Sequence, residues 1–150
     1  MADLHIDDFY RDVASIFLRL YAVFPRKTIL YVEDVCGPDQ PDEFGLHHPR
    51  FQAGFSAMVW LAEHGYLHFQ ETIRAEALDQ AVLSRRAFLL LSSRSELGLA
   101  APAGDAVPPS VAEYSRSNIT QLRAALREGS SINLQKCVTY LLSQPPIGGA

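Results

Sequence analysis

The sequence predicts an α+β chain: a three-helix core carrying a small antiparallel β-ribbon, followed by a C-terminal two-helix extension. Three observations predict it. Residues 51–91 read helix, strand, short turn, strand, helix in close succession. Residues 6–24 carry apolar side chains at helical spacing. Beyond a proline-rich stretch, two further short apolar stripes are separated by Gly129-Ser130-Ser131. From these, residues 1–94 are expected to form the first domain, 95–110 a linker, and 111–144 the helical extension.

In order along the chain, Ile6, Phe9, Val13, Ile16, Phe17, Leu20 and Phe24 form one helical stripe. Asp7, Asp8, Arg11, Asp12 and Arg19 fall on the opposite side, as in a core-facing amphipathic helix. Pro25 ends that helix, because its ring clashes with the preceding turn and lacks an N–H. Residues 28–32 are short, β-branched and aromatic, the composition of a strand. Residues 33–36 are expected to begin a short second helix. From 37 to 49 the chain turns to Gly, Pro and Asp, an irregular connection whose acids are expected in water.

Phe51, Phe55, Met58, Val59 and Leu61 mark the buried face of a third helix that stops at His64-Gly65, where glycine permits a left-handed turn. Residues 66–70 alternate, with Tyr66, His68 and Gln70 on one face and Leu67 and Phe69 on the other. Residues 71–78 are then expected to be the turn and 80–83 the returning strand. Ser84 is a good N-cap for a helix over 85–91, since its hydroxyl can accept from an unpaired first-turn amide.

In the extension, Val111, Tyr114, Ile119, Leu122 and Leu126 mark one apolar face, and Ile132, Leu134, Val138, Leu141 and Leu142 the other. Two short helices cannot bury both faces alone. They dock on the first domain or on a second copy of the chain. The expectation is a homodimer held by Val111, Tyr114, Leu122, Leu126, Val138, Leu141 and Leu142, because the proline-rich linker gives reach.

At 150 residues and 48% hydrophobic content the chain can bury one core. No apolar run reaches the roughly 18–20 residues that span a bilayer. A membrane-surface role is weakened by the few cations on the last two helices, Arg116, Arg123, Arg127 and Lys136. The start, MADLHIDD, is acidic where a secretory signal is basic and then apolar, so a cytoplasmic location is expected. Cys36 and Cys137 are far apart in sequence, which leaves reduced thiols as the reading. Lys and Arg total 13 against 17 Asp and Glu, a net charge of -4, without the basic excess typical of phosphate-neutralising proteins. The acids crowd the first half, whereas Arg85, Arg86 and Arg94 cluster later.

The order helix, strand, short helix, helix, two-stranded ribbon, helix resembles the winged helix-turn-helix superfamily. The resemblance spans about residues 6–91 and is sharpest at MVWLAEHGYLHF (58–69) and AVLSRRAFLLL (81–91). Many bacterial winged-helix regulators carry a similar Trp-Leu, acidic, Gly-Tyr end to the third helix and a similar Leu-Ser/Thr step after the wing. The resemblance implies a non-enzymatic, dimeric transcription regulator that binds double-stranded DNA, with the third helix in the major groove. Carried over, the reading residues are His47, His48, Arg50, Gln52 and Ser56, with Thr72 and Arg74 at the wing tip. Arg can pair with guanine and Gln with adenine. Arg85 and Arg86 stand at a helix start, where phosphate meets side chains and free amides. This sequence departs from the pattern in flanking a lone Arg74 with Glu71, Glu76 and Asp79, and in a smooth Ala53-Gly54 pair. The alternative is an acidic winged-helix adaptor that contacts protein rather than DNA, since fold alone does not fix function.

Other constellations read as structure. His47, His48, His64 and His68 lack zinc-like spacing, so no metal is expected. No phosphate loop, nucleophile elbow, HExxH helix or dinucleotide fingerprint is present, so neither catalysis nor a cofactor is expected. Asp7-Asp8 reads as a solvated helix face. Trp60, beside Leu61, reads as a core anchor.

Overall fold

The computed structural model describes residues 4–97 and 116–145. Among them the chain is mixed α+β, with a four-stranded antiparallel sheet. The elements run α1 (Leu4–Val23), β1 (Thr28–Tyr31), α2 (Val32–Cys36), α3 (Pro49–Glu63), β2 (Leu67–His68), β3 (Glu71–Ile73), β4 (Ala77–Leu83) and α4 (Arg85–Ser92). After the segment outside the described residues come α5 (Asn118–Glu128) and α6 (Ser131–Ser143). No helix is long and apolar enough to cross a membrane among the described residues.

Helix α1 is the wall on which the rest packs. Val13, Ala14, Ile16, Phe17 and Leu20 are buried, and α3, α5 and α6 all lie against it. Two expectations for this helix change. Ile6 is 40% exposed, because the stripe overruns the core at the N-terminal turns. Asp12, expected in water, is 1% exposed, because Arg50 of α3 reaches across to it.

The sheet is organised around β4, which pairs with β1, β2 and β3. Partners Leu67↔Leu83, His68↔Val82, Glu71↔Asp79 and Ile73↔Ala77 keep one register, so 67–73 and 77–83 form a single hairpin interrupted near Phe69 and Gln70. Opposite β1 the register slips between Thr28↔Ala81 and Leu30↔Leu78, where Gln80 adopts a φ of 56°. That extra residue in β4 is a bulge, and it bends the ribbon.

The expected turn over 71–78 is therefore shorter than the sequence indicated. Glu71, Thr72 and Ile73 are in β3, Ala77 and Leu78 are buried in β4, and only 74–76 turn. Arg74 and Ala75 both have positive φ, 50° and 55°, the geometry that matches hairpin twist but strains a side-chain-bearing residue. Tyr66 also departs from strand alternation. It is 2% exposed, with its ring near Phe17 and its hydroxyl donating to the Leu142 carbonyl at 3.2 Å. Gly65, at φ 80°, supplies the left-handed turn after α3 as expected. Ser84 caps α4, accepting from the Ala87 N–H at 3.1 Å and donating to the Gly65 carbonyl at 2.7 Å.

The two last helices close over α1 of the same chain. Leu122, Val138 and Leu141 are at most 1% exposed and belong to the same continuous core as Phe17 and Met58. Leu126 and Leu142 pack against it, partly buried. These five side chains were expected at a dimer interface. Each instead meets apolar partners within the same chain, and burying each fully covered one stabilises the fold by roughly 1.5–3 kcal/mol. Val111 and Tyr114, of the same expectation, and most of the expected linker lie outside the described residues. Ile132, placed on the apolar face by sequence, is 67% exposed, because Leu134, Cys137, Val138 and Leu141 set the buried stripe of α6. Asn118 splices α5 to the end of α4, its side chain donating to the Leu90 carbonyl at 2.8 Å and its backbone N–H to the Ser93 carbonyl at 2.8 Å.

Candidate functional site

The start of α3 is built by the irregular 37–48 connection. His48 caps the helix through Nδ1, which accepts from the Arg50 N–H at 3.1 Å, and Pro49 takes the first helical position, where no N–H is needed. Asp39 holds the approach: its carboxylate accepts from the His48 N–H at 2.9 Å and contacts His47 Nδ1 at 2.5 Å. The hydrogen bond to Asp39 holds the His47 imidazole above its ordinary pKa, against the opposing effect of desolvation. The His47 ring also stacks on Phe51, with centroids 4.9 Å apart, and Gln52 Nε2 donates to the His47 carbonyl at 2.7 Å.

Arg50 was expected to be free to read a base. Its guanidinium instead donates to both Asp12 oxygens at 2.7 and 2.8 Å, and Nε lies 3.4 Å from Asp8. Burial pushes the Asp12 carboxyl up, opposed by the Arg50 hydrogen bonds and charge. Those same bonds raise Arg50 further, so the guanidinium stays charged. The pair ties α1 to α3.

Arg86 was expected to meet phosphate and is likewise occupied. It donates to the His64 carbonyl at 2.9 Å, the Tyr66 hydroxyl at 3.1 Å and the Gln144 carbonyl at 3.2 Å, and lies over the Tyr66 ring at 4.4 Å. His64 and Gln144 cap the C-terminal ends of α3 and α6, where helix dipoles favour a cation. His48, Gln52, Ser56, Thr72, Arg74 and Arg85 of the expected contact set do face solvent. Of the two residues expected at the hairpin tip, Arg74 lies in the 74–76 turn, while Thr72 sits back in β3 opposite Leu78. The Glu71↔Asp79 pair puts two acids across from each other just behind that tip.

Trp60 is the largest departure from sequence expectation. It is 37% exposed and not a core anchor. Its ring meets Phe9 edge-on, centroids 5.3 Å apart and planes at 90°, and lies 4.1 Å from the His64 ring. The outer side of α3 at Ala53, Ser56, Ala57 and Trp60 and the start of α1 at His5, Ile6, Phe9 and Asp12 enclose a groove of about 260 Å³. Sequence reasoning missed it, although the signal was present: Trp60 lies four and seven residues after Ser56 and Ala53, on their stripe and not on that of Phe51, Met58 and Leu61.

Among the described residues, no group of three or more His, Cys, Asp or Glu is placed to hold a metal ion. Cys36 and Cys137 are free thiols, and burial pushes Cys137 up to about 11. Comparison with protein-family models, with curated proteins and with solved structures gave no match.

Proposed function

We propose that this chain is a winged-helix protein serving as a non-enzymatic protein-interaction adaptor, with α3 and the start of α1 as its docking face. The element order, with β1 pairing to the second strand of the hairpin, supports the winged-helix reading. One observation carries the adaptor reading: α3 and the start of α1 enclose an apolar groove ending in an exposed tryptophan, and of the expected DNA-reading residues Ser56 alone lines it. Aromatic side chains in such settings are typical anchors of protein interfaces. The electrostatics agree, since Arg50 and Arg86 are engaged internally and the net charge is -4.

A second reading, DNA-binding regulation, is favoured by the solvent-facing set of His48, Gln52, Arg74 and Arg85. Full-length protein incubated with a random duplex pool at low salt separates the two. The adaptor reading expects no retained DNA, and a two-hybrid selection with the full chain should yield partners lost on Ala53→Arg. Duplex retention that falls steeply with salt and weakens uniformly in Arg85→Ala would overturn it.

A further inference from the structure

We infer that the groove between α1 and α3 receives an amphipathic helix whose apolar stripe is flanked by Lys or Arg. The inference rests on the adaptor reading and adds the chemistry of the partner.

The shape suits a row of side chains. At about 260 Å³ the groove is smaller than the roughly 300–1,000 Å³ of small-molecule sites. Its floor holds Ala53 and Ala57, two small residues that let a neighbouring element approach closely, and its walls are Phe9, Ile6 and Trp60. The channel lies between two packed helices, so a third helix can lay a row of large side chains along it, as in helix-in-groove recognition. Leu4, 69% exposed, directly precedes the lining residue His5 on α1.

Charge selects the flanks. No Lys or Arg is in the lining; Asp12 is, and Asp8 stands one turn before it on α1. Glu63 lies one turn beyond Trp60 and is exposed. Arg50, shared by Asp8 and Asp12, and Arg11, whose charge acts on Asp12, offset two of these three acids and leave Glu63 as the excess. The remaining field is negative and repels acidic partners. A second copy of this chain is disfavoured for the same reason, because a two-fold contact through this face sets the same acids against themselves.

Trp60 is the chain's only tryptophan, so its emission reports directly on the groove. Three synthetic helical peptides of about five turns (~18 residues) serve as probes with the full-length protein. One has a Leu/Phe stripe and a Lys polar face, one the same stripe with a Glu face, and one the Lys face with the stripe scrambled. The Lys-faced striped peptide is expected to shift Trp60 emission to the blue, bind at least about tenfold tighter than either other peptide, and weaken with salt. Ala53→Arg should reduce that affinity by about tenfold or more, and Glu63→Lys should narrow the gap between Lys- and Glu-faced peptides. Both sites are exposed, and far-UV circular dichroism checks that each variant folds.

Equal or tighter binding of the Glu-faced peptide would overturn the inference and leave the adaptor standing. Equal binding of the scrambled peptide would reduce the contact to bulk charge attraction and overturn it as well. A doubled mass in sedimentation that reverts to monomer in Ala53→Arg would make a second copy the occupant. If no striped peptide alters Trp60 emission in the folded protein, the docking face itself is refuted.

Discussion

Replacing Arg50 with Met is expected to destabilise the protein by about 2–4 kcal/mol near neutral pH. The magnitude follows from what the substitution leaves behind. Asp12 is 1% exposed, and its two short contacts, 2.7 and 2.8 Å, come from the Arg50 guanidinium. Breaking a buried ion pair costs about 3–5 kcal/mol, whereas an exposed pair contributes about 0–1. The Arg50 side chain is 29% exposed, so water can enter the vacated end and draw the cost below the fully buried range. Protonation sets a ceiling: carrying a carboxyl from its ordinary value of 3.8 to neutrality costs at most about 4 kcal/mol.

Acid should therefore relieve the variant. A carboxyl whose folded-state pKa is raised destabilises above that value, and the penalty fades as pH falls toward the unfolded-state value. The deficit of Arg50→Met relative to wild type should shrink from about pH 7 to about pH 5. Adding Asp12→Leu should recover most of the loss, because an apolar pair of similar volume substitutes well for a buried ion pair. Urea unfolding followed by circular dichroism and by Trp60 emission measures each variant, with the slope m held constant as the check on two-state behaviour. A loss under about 0.5 kcal/mol, or a deficit that grows on acidification, would show that the pair is a solvated surface contact.

Three further outcomes are expected. By NMR, His47 should titrate above its ordinary value of 6.5 and return toward it in Asp39→Asn. The ordering that this pair gives the 37–48 connection is complete below the unfolded-state value and fades as pH rises through the raised one. Changing Arg74-Ala75 to Asn-Gly should stabilise by about 1–2 kcal/mol in thermal melts, since both positions are left-handed; no gain would contradict the hairpin geometry. Gly54→Ala should destabilise by about 1–3 kcal/mol, because the new methyl would lie 2.8 Å from Cys36 Sγ and 3.2 Å from Val32 Cγ1. Adding Cys36→Ala should restore stability, and a failure to do so would place the strain elsewhere.

What the sequence revealed tracks how local the physics is. The Phe51, Met58 and Leu61 stripe, the left-handed Gly65 and the Ser84 cap each depend on a few neighbouring residues, and each is found where the pattern placed it. Asp12 and Arg50 lie 38 residues apart, so the local helical pattern put the acid in water although its partner removes it. The hairpin turn was overestimated because Glu71, Thr72 and Asp79 are polar, and an exposed ribbon is polar by the same measure as a loop. Arg86 looked available because a guanidinium at a helix start advertises charge. The two carbonyls that engage it come from the ends of α3 and α6, distant in sequence. Trp60 reads as interior from its place beside Leu61, but its register with Ser56 and Ala53 is the better guide.

Because α1 has one flank covered by α3 and another by α5 and α6, it serves as a keystone, and the last two helices are not an optional tail. Cutting the chain after Ser95 would unroof Phe17 and its neighbours and leave a sticky fragment. Any self-association of that fragment would report the wound and not the biology.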